Sequence, residues 1–273
     1  MKNLTIFLVL VLFAVASCKE QEPAAYTRLG FFTPYQTYME KLNGKVESVT
    51  EKGYWAIPEG ESYIKGARIT KAELDSIGYT YDYKAVFDAD GDLVSCTSYD
   101  ENEDVIDIWS LLKENNRLVR TEFKSDDTVR YYQRVTCDAE GNPRLYEYYN
   151  ALVDTLVRKD EITGFETNDT TVWQYYNYTG EPGARFLLVF NDLGLLTTRQ
   201  TTLKDGTEGS SYTLKYNEMG FQNEATFYDK DKNISSRTAS SYEYDDKGNW
   251  IKVICKDDKG FVVIGERIYT YFD

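Results

Sequence analysis

The sequence predicts an all-β protein: one antiparallel, repeat-built meander, a twisted or curled sheet, with two short helices near the N-terminus. Three observations carry this. First, a short pattern recurs, an aromatic or soft residue followed by Asp or Asn, two free positions and Gly. Its copies are Phe87-Asp88…Gly91, Cys137-Asp138…Gly141, Phe190-Asn191…Gly194, Tyr216-Asn217…Gly220 and Tyr244-Asp245…Gly248. Second, each period holds a further, less uniform turn about half-way along, as at Asp100 to Asp104, Asp205-Gly206, Asp229 to Asn233 and Asp257 to Gly260. Third, 24 Tyr dominate the 15% aromatic content, and a tyrosine suits a half-buried strand, where its ring packs while its hydroxyl stays wet.

The pattern has a turn mechanism. Asp or Asn at the first position of a type I turn caps backbone N–H groups, and Gly three residues on takes positive φ, forming the bulge that joins two right-twisted strands. Asn115-Asn116 stands where a copy would carry Gly, and the wide interval from Gly141 to Gly194 leaves room for a degenerate copy near Thr163-Gly164. The residues before each Asp or Asn, namely Phe87, Cys137, Phe190, Tyr216 and Tyr244, are expected to form a row on one face. Alternation is clearest late in the chain, where Phe221, Ala225 and Phe227 oppose Gln222, Glu224 and Thr226. Phe186 to Phe190 and Trp250 to Cys255 are apolar on both faces, so the sheet must curl or stack to cover them.

From the N-terminus, residues 1–17 form a secretion signal: Lys2, then an apolar run from Leu4 to Ala16, too short for a comfortable membrane span. Val15-Ala16-Ser17-Cys18 is similar to a bacterial lipobox, which implies acylation of Cys18 and attachment to a membrane by lipid. Lys19-Glu20-Gln21-Glu22 resembles the acidic signal that sends Bacteroidetes lipoproteins to the outer surface, and residues 18–30 read as a flexible tether. The remainder, 31–273, reads as a single domain. Thr33-Pro34-Tyr35-Gln36 carries capping signals for a helix with Tyr35, Tyr38, Met39 and Leu42 on one face, stopped by Asn43-Gly44. Residues 58–78 break the repeat as an insertion, within which Thr70-Lys71-Ala72-Glu73 is a second capping box.

The formal charge is −14 and no Lys/Arg cluster stands out, so nucleic acid is not an expected partner. The chain has no His, which removes His triads and most zinc sites. Asp88 to Asp92 and Asp229 to Asn233 superficially resemble calcium loops, yet Leu93 and Ile234 occupy the position where such a loop needs Gly. They read as capped turns, and no metal or cofactor is expected. No nucleophile motif selects a catalytic residue among the 45 acids.

Tyr242-x-Tyr244-Asp245-x-x-Gly248-Asn249 resembles the tyrosine-aspartate (Rhs/YD-like) β-hairpin repeats. With its lipobox and repeats over residues 79–273, the chain is similar to Bacteroidetes surface lipoproteins of that type. The resemblance implies an outer-membrane location at the cell surface and transfers no catalytic residue. The expected role is non-enzymatic binding of a glycan or a partner protein. The alternatives are an accessory subunit docking through an edge strand such as Phe261 to Phe272, and, third, an acid-pair hydrolase.

Overall fold

The computed structural model describes residues 26–30, 39–73, 82–114, 117–125, 128–139, 143–167 and 170–273. Two strands, β1 (Tyr26–Gly30) and β2 (Met39–Asn43), form a separate antiparallel pair. The rest are β3 (Val46–Glu59), β4 (Ser62–Arg68), β5 (Asp82–Phe87), β6 (Leu93–Tyr99), β7 (Val105–Glu114), β8 (Arg117–Ser125), β9 (Thr128–Cys137) and β10 (Pro143–Asn150). They continue as β11 (Thr155–Thr167), β12 (Thr170–Asn177), β13 (Pro182–Phe190), β14 (Leu196–Thr202), β15 (Glu208–Tyr216), β16 (Gln222–Tyr228), β17 (Ile234–Tyr244), β18 (Trp250–Asp257) and β19 (Val262–Tyr271).

The meander closes. Sixteen strands, β3 and β5 to β19, form one antiparallel barrel, sealed where β19 pairs with β3 from Val263↔Trp55 to Tyr271↔Val46. β3 pairs with β5 over Ser48–Glu51 and with β4 over Tyr54–Glu59. The expected insertion thus begins as a hairpin arm that outgrows the wall. β19 is paired on both sides, so the edge strand expected at Phe261 to Phe272 does not exist. Closure satisfies the backbone groups that an open edge would expose.

The expected turns are built as the sequence pattern requires. Among the described residues nine hairpins share one geometry: the first turn residue donates its N–H to the carbonyl four residues on, and the fourth donates back to the first. Gly91, Gly194, Gly220 and Gly248 occupy the fourth position with positive φ; Gly141 lies outside the described residues, as does Asn115-Asn116. Asp88 Oδ1 accepts the N–H groups of Asp90 and Asp92, and Asp229 Oδ1 those of Asp231 and Asn233. The apparent calcium loops are therefore capped turns. The near-end turn between those of Gly141 and Gly194 is the β11–β12 connection at 168–169, outside the described residues, and Thr163 and Gly164 sit inside β11 beside a bulge. Asn177 to Gly180 builds the same Asx-to-Gly geometry at the opposite end, between β12 and β13.

The turns of the repeated glycines share one end of the barrel, here the near end, with the start of β3 and the finish of β19. The half-way turns and the β3–β4 arm lie at the far end.

The expected N-terminal helix is corrected. Met39–Asn43 is strand β2, and residues 31–38 lie outside the described set. Pairing with β1 and full burial of Leu42 against Val46, Val49 and Phe87 outweigh the helical spacing. Tyr26–Gly30, expected as tether, is the strand that pairs with it. At Thr70 the capping box forms: Glu73 Oε2 accepts the Thr70 N–H at 2.8 Å, and the Glu73 N–H donates to Thr70 Oγ1 at 3.3 Å. Lys71–Glu73 is helical; residues 74–81 are outside the described set.

Candidate functional site: the open half of the barrel

Register sorts the wall into two faces, because directly paired residues share a side. One face runs Val49–Tyr269, Val49–Ala85, Ala85–Cys96, Cys96–Trp109 and on around the wall to Tyr242–Val253. It carries the buried clusters and is the inner face. At the near end it is filled. Phe87 and Leu93 pack with Leu42 of β2, Trp173 and Leu188 with Cys137 and Phe190, and Phe221 and Trp250 with Tyr244. Of the row expected from Phe87, Cys137, Phe190, Tyr216 and Tyr244, all but Tyr216 belong to these three inward clusters, and Tyr216 bonds the Leu196 backbone. Tyrosine hydroxyls tie successive hairpins together: Tyr216 donates to the Leu196 carbonyl, Tyr269 to that of Trp250 and Tyr242 to that of Gln222. Each acceptor stands two residues after a turn glycine.

Toward the far end the same face opens. Tyr131 is 50% exposed and Phe227 38% exposed, although both point inward by register. Between them runs a belt in which guanidinium groups lie over rings. Arg158 stands 4.7 Å from the Tyr148 ring and 5.1 Å from that of Tyr175, and Arg199 4.4 Å from Phe186 and 5.7 Å from Tyr212. Tyr212 in turn meets Phe227 at 5.7 Å. Arg158 Nε donates to the carboxylate of buried Asp160 at 2.9 Å, beside the Tyr148 hydroxyl. Burial still pushes the Asp160 carboxyl above the usual carboxylate range. Deeper in, Arg267 Nε donates to Glu51 Oε2 at 2.9 Å and its Nη2 to the Tyr83 hydroxyl at 2.8 Å, with Trp250 beneath the guanidinium. Exposed apolar side chains ring the mouth, among them Leu152, Val153, Tyr178, Leu203, Ile234 and Phe261.

From β14 to β18 the outer face is polar. It presents Thr198, Gln200, Thr213, Lys215, Glu224, Thr226, Arg237, Glu243 and Lys252, exposed or half-buried. Ion pairs cross it from strand to strand, Lys215–Glu224 at 2.6 Å, Lys252–Glu243 at 2.8 Å and Lys65–Glu266 at 2.7 Å. A groove of about 630 Å³ lies over β15 to β18, lined by Lys215, Glu224, Arg237, Lys256 and Asp258 among others. Its charges are already engaged, Lys215 with Glu224 and Asp258 with the Arg237 backbone. The inner belt is therefore the better candidate site.

Of the residues singled out from sequence, Gly91, Gly194, Gly220 and Gly248 frame the near end, and Gly141 and Cys18 lie outside the described residues. Trp55, Trp109, Trp173 and Trp250 pack against the inner clusters. Among the described residues no group of His, Cys, Asp and Glu could hold a metal ion. Arg158, Arg199, Tyr131 and Gln133 were not singled out. For Tyr131 and Gln133 the signal was the inward parity of Tyr131-x-Gln133-x-Val135, which shows its meaning only once the partner strands are known.

No family model and no curated protein matches this chain. Among solved structures it is similar to a porin-like protein from Bacteroides uniformis, at 7% identity and a TM-score of 0.52, covering 82% of this chain and 98% of that one. It is also similar to a porin-like protein from Bacteroides vulgatus, at 13% identity and a TM-score of 0.40, covering 84% of this chain and 99% of that one. The chain shares the barrel fold of the Bacteroides uniformis protein.

Proposed function

We propose that this protein is a non-enzymatic, lipid-anchored barrel of the bacterial cell envelope that stands in water and binds a glycan in its open half. The observation that carries the reading is the outer face of β14 to β18, which is polar and charged and lies over an inner face carrying rings. A barrel that spans a bilayer carries the opposite pattern, an outward apolar band about 25 Å tall. Thr, Lys, Glu and Arg across β14 to β18 leave no such band there, and each Lys or Arg at mid-bilayer would cost about 2–4 kcal/mol. Inside, ring faces suit the C–H faces of sugars, and the Arg158 and Arg199 guanidinium groups lie among them. The likeness to porin-like barrels supports an envelope location.

The anchor fits this geometry. Tyr26 pairs with Asn43 at the near end, and residues 19–25 reach at most about 25 Å. A lipid on Cys18 would hold the near end to the bilayer and turn the mouth away from it.

Three measurements test the proposal. Labelled palmitate should enter the wild-type protein and not Cys18→Ala. A chain beginning at residue 19 should purify as a single species without detergent. It should bind an oligosaccharide from a defined panel, with binding weakened by Tyr212→Ala. A chain that aggregates without detergent, and that conducts ions in planar bilayers with it, would be a porin and would end this reading.

A further inference from the structure

Beside the belt, on the inner face of β8 and β9, lies a polar pair that the barrel leaves unanswered. Gln133 is 0% exposed and Thr121 3%. Neither amide atom of Gln133 nor Thr121 Oγ1 has a hydrogen-bond partner. The two residues are directly paired across the strands, and Gln133 is paired on its other side with Tyr148. A buried polar group left unmade costs about 1–3 kcal/mol, so three such atoms side by side form an expensive floor for a wall that needs only to pack. One step toward the mouth, the next inward row is Trp109, Phe123 and Tyr131, again paired strand to strand, with Trp109 and Phe123 in edge contact at 5.3 Å. Rings thus stand at the lip and an amide and a hydroxyl below them.

This juxtaposition calls for a ligand whose groups donate and accept at once and whose body is flat and apolar on its faces. A sugar ring has both properties. The floor also selects by charge. Asp107, on the same inner face, keeps Oδ1 buried and without a partner, and the Cys96 thiol is pushed up to about 12 by burial first and then by Asp107 and Glu51. An added carboxylate or sulfate beside Asp107 would be repelled by its carboxylate in this low dielectric.

We infer that the sector formed by Thr121, Gln133 and the Trp109–Phe123–Tyr131 row binds a neutral pyranose unit, with the Gln133 amide as its specificity-determining group. The inference rests on the luminal glycan reading above and narrows it. Gln133 is sealed beneath its neighbours, whereas Tyr131, two residues nearer the mouth, is half in solvent.

The test uses the full-length lipoprotein in mild detergent, titrated calorimetrically with maltohexaose, xylohexaose, mannohexaose and chitohexaose, and with hexagalacturonate as the anionic probe. Wild type should bind at least one neutral hexasaccharide. Gln133→Leu should weaken it at least tenfold without lowering the melting temperature, since an unpaired amide is replaced by an apolar group of similar size. Thr121→Val, nearly isosteric, should weaken it in the same direction and guards against a fold defect in the first variant. Unchanged affinity in both variants would overturn the inference and leave the luminal glycan reading standing, as would binding of hexagalacturonate alone. Binding of no oligosaccharide by wild type would overturn both.

Discussion

Asn249 grips the backbone of Asn43, 206 positions earlier: its Oδ1 accepts the Asn43 N–H at 2.6 Å and its Nδ2 donates to the Asn43 carbonyl at 2.8 Å. Nδ2 also donates to the Tyr271 hydroxyl at 3.0 Å, and that hydroxyl donates to Asp245 at 2.8 Å. Asn249 is fully buried. One side chain therefore joins the β17–β18 turn, the end of β19 and the β1–β2 pair, and holds Leu42 against the near-end core. Asn249→Ala removes these buried bonds at about 1 kcal/mol each. We expect a loss of about 2–3 kcal/mol by urea unfolding, with faster hydrogen exchange at Leu42 and Asn43 than elsewhere in the barrel.

Glu51, Arg267 and Tyr83 form a closed buried triad, since the Tyr83 hydroxyl also donates to Glu51 Oε2 at 2.8 Å. Removing one partner strands a buried charge, a loss of about 3–5 kcal/mol, whereas replacing both charges with apolar groups is much milder. Arg267→Leu should therefore destabilise strongly, and the double variant Glu51→Leu with Arg267→Leu should recover a large part of the loss. A double variant no more stable than the single one would show that the pair holds the seam by attraction.

The turn glycines should differ in sensitivity. Alanine at Gly194 adds only the cost of positive φ, about 1 kcal/mol, because nothing lies within 4 Å of its new methyl. At Gly248, φ is +82° and the methyl would sit 2.8 Å from Met219 Cε and 3.3 Å from Asn43 Nδ2. Gly248→Ala should cost more than Gly194→Ala and should share the hydrogen-exchange signature of Asn249→Ala. Equal losses would mean that Gly248 serves its own hairpin only.

Cys96 makes the pH prediction. Its thiol is pushed from an ordinary 9.0 up to about 12 in the fold, first by burial. A raised folded value means the stabilisation is complete below pH 9, where the unfolded thiol is also protonated. It is lost between pH 9 and 12, where only the unfolded thiol ionises. Stability should fall across that window by less in Cys96→Ala than in wild type, once the variant's own cavity loss is subtracted. At pH 8.5 iodoacetamide should label Cys96 only after unfolding, as read by peptide mass.

The sequence by itself determined the hairpins. An Asx side chain capping N–H groups two and four residues on, and a Gly with positive φ, are local chemistry. So Asp88–Gly91, Asn191–Gly194, Asn217–Gly220 and Asp245–Gly248 could be read without knowing any partner, as could the capping box at Thr70. The tertiary structure alone decided closure, because pairing β3 with β19 joins residues some two hundred positions apart and leaves no local mark. It also decided that Met39–Asn43 is a strand, since its burial depends on a wall the chain has yet to make. Alternation divides each strand into two faces but does not say which face is inside. Only the closed ring turns Gln133 and Arg158 inward and Lys215 and Glu224 to water, and that choice creates the candidate site.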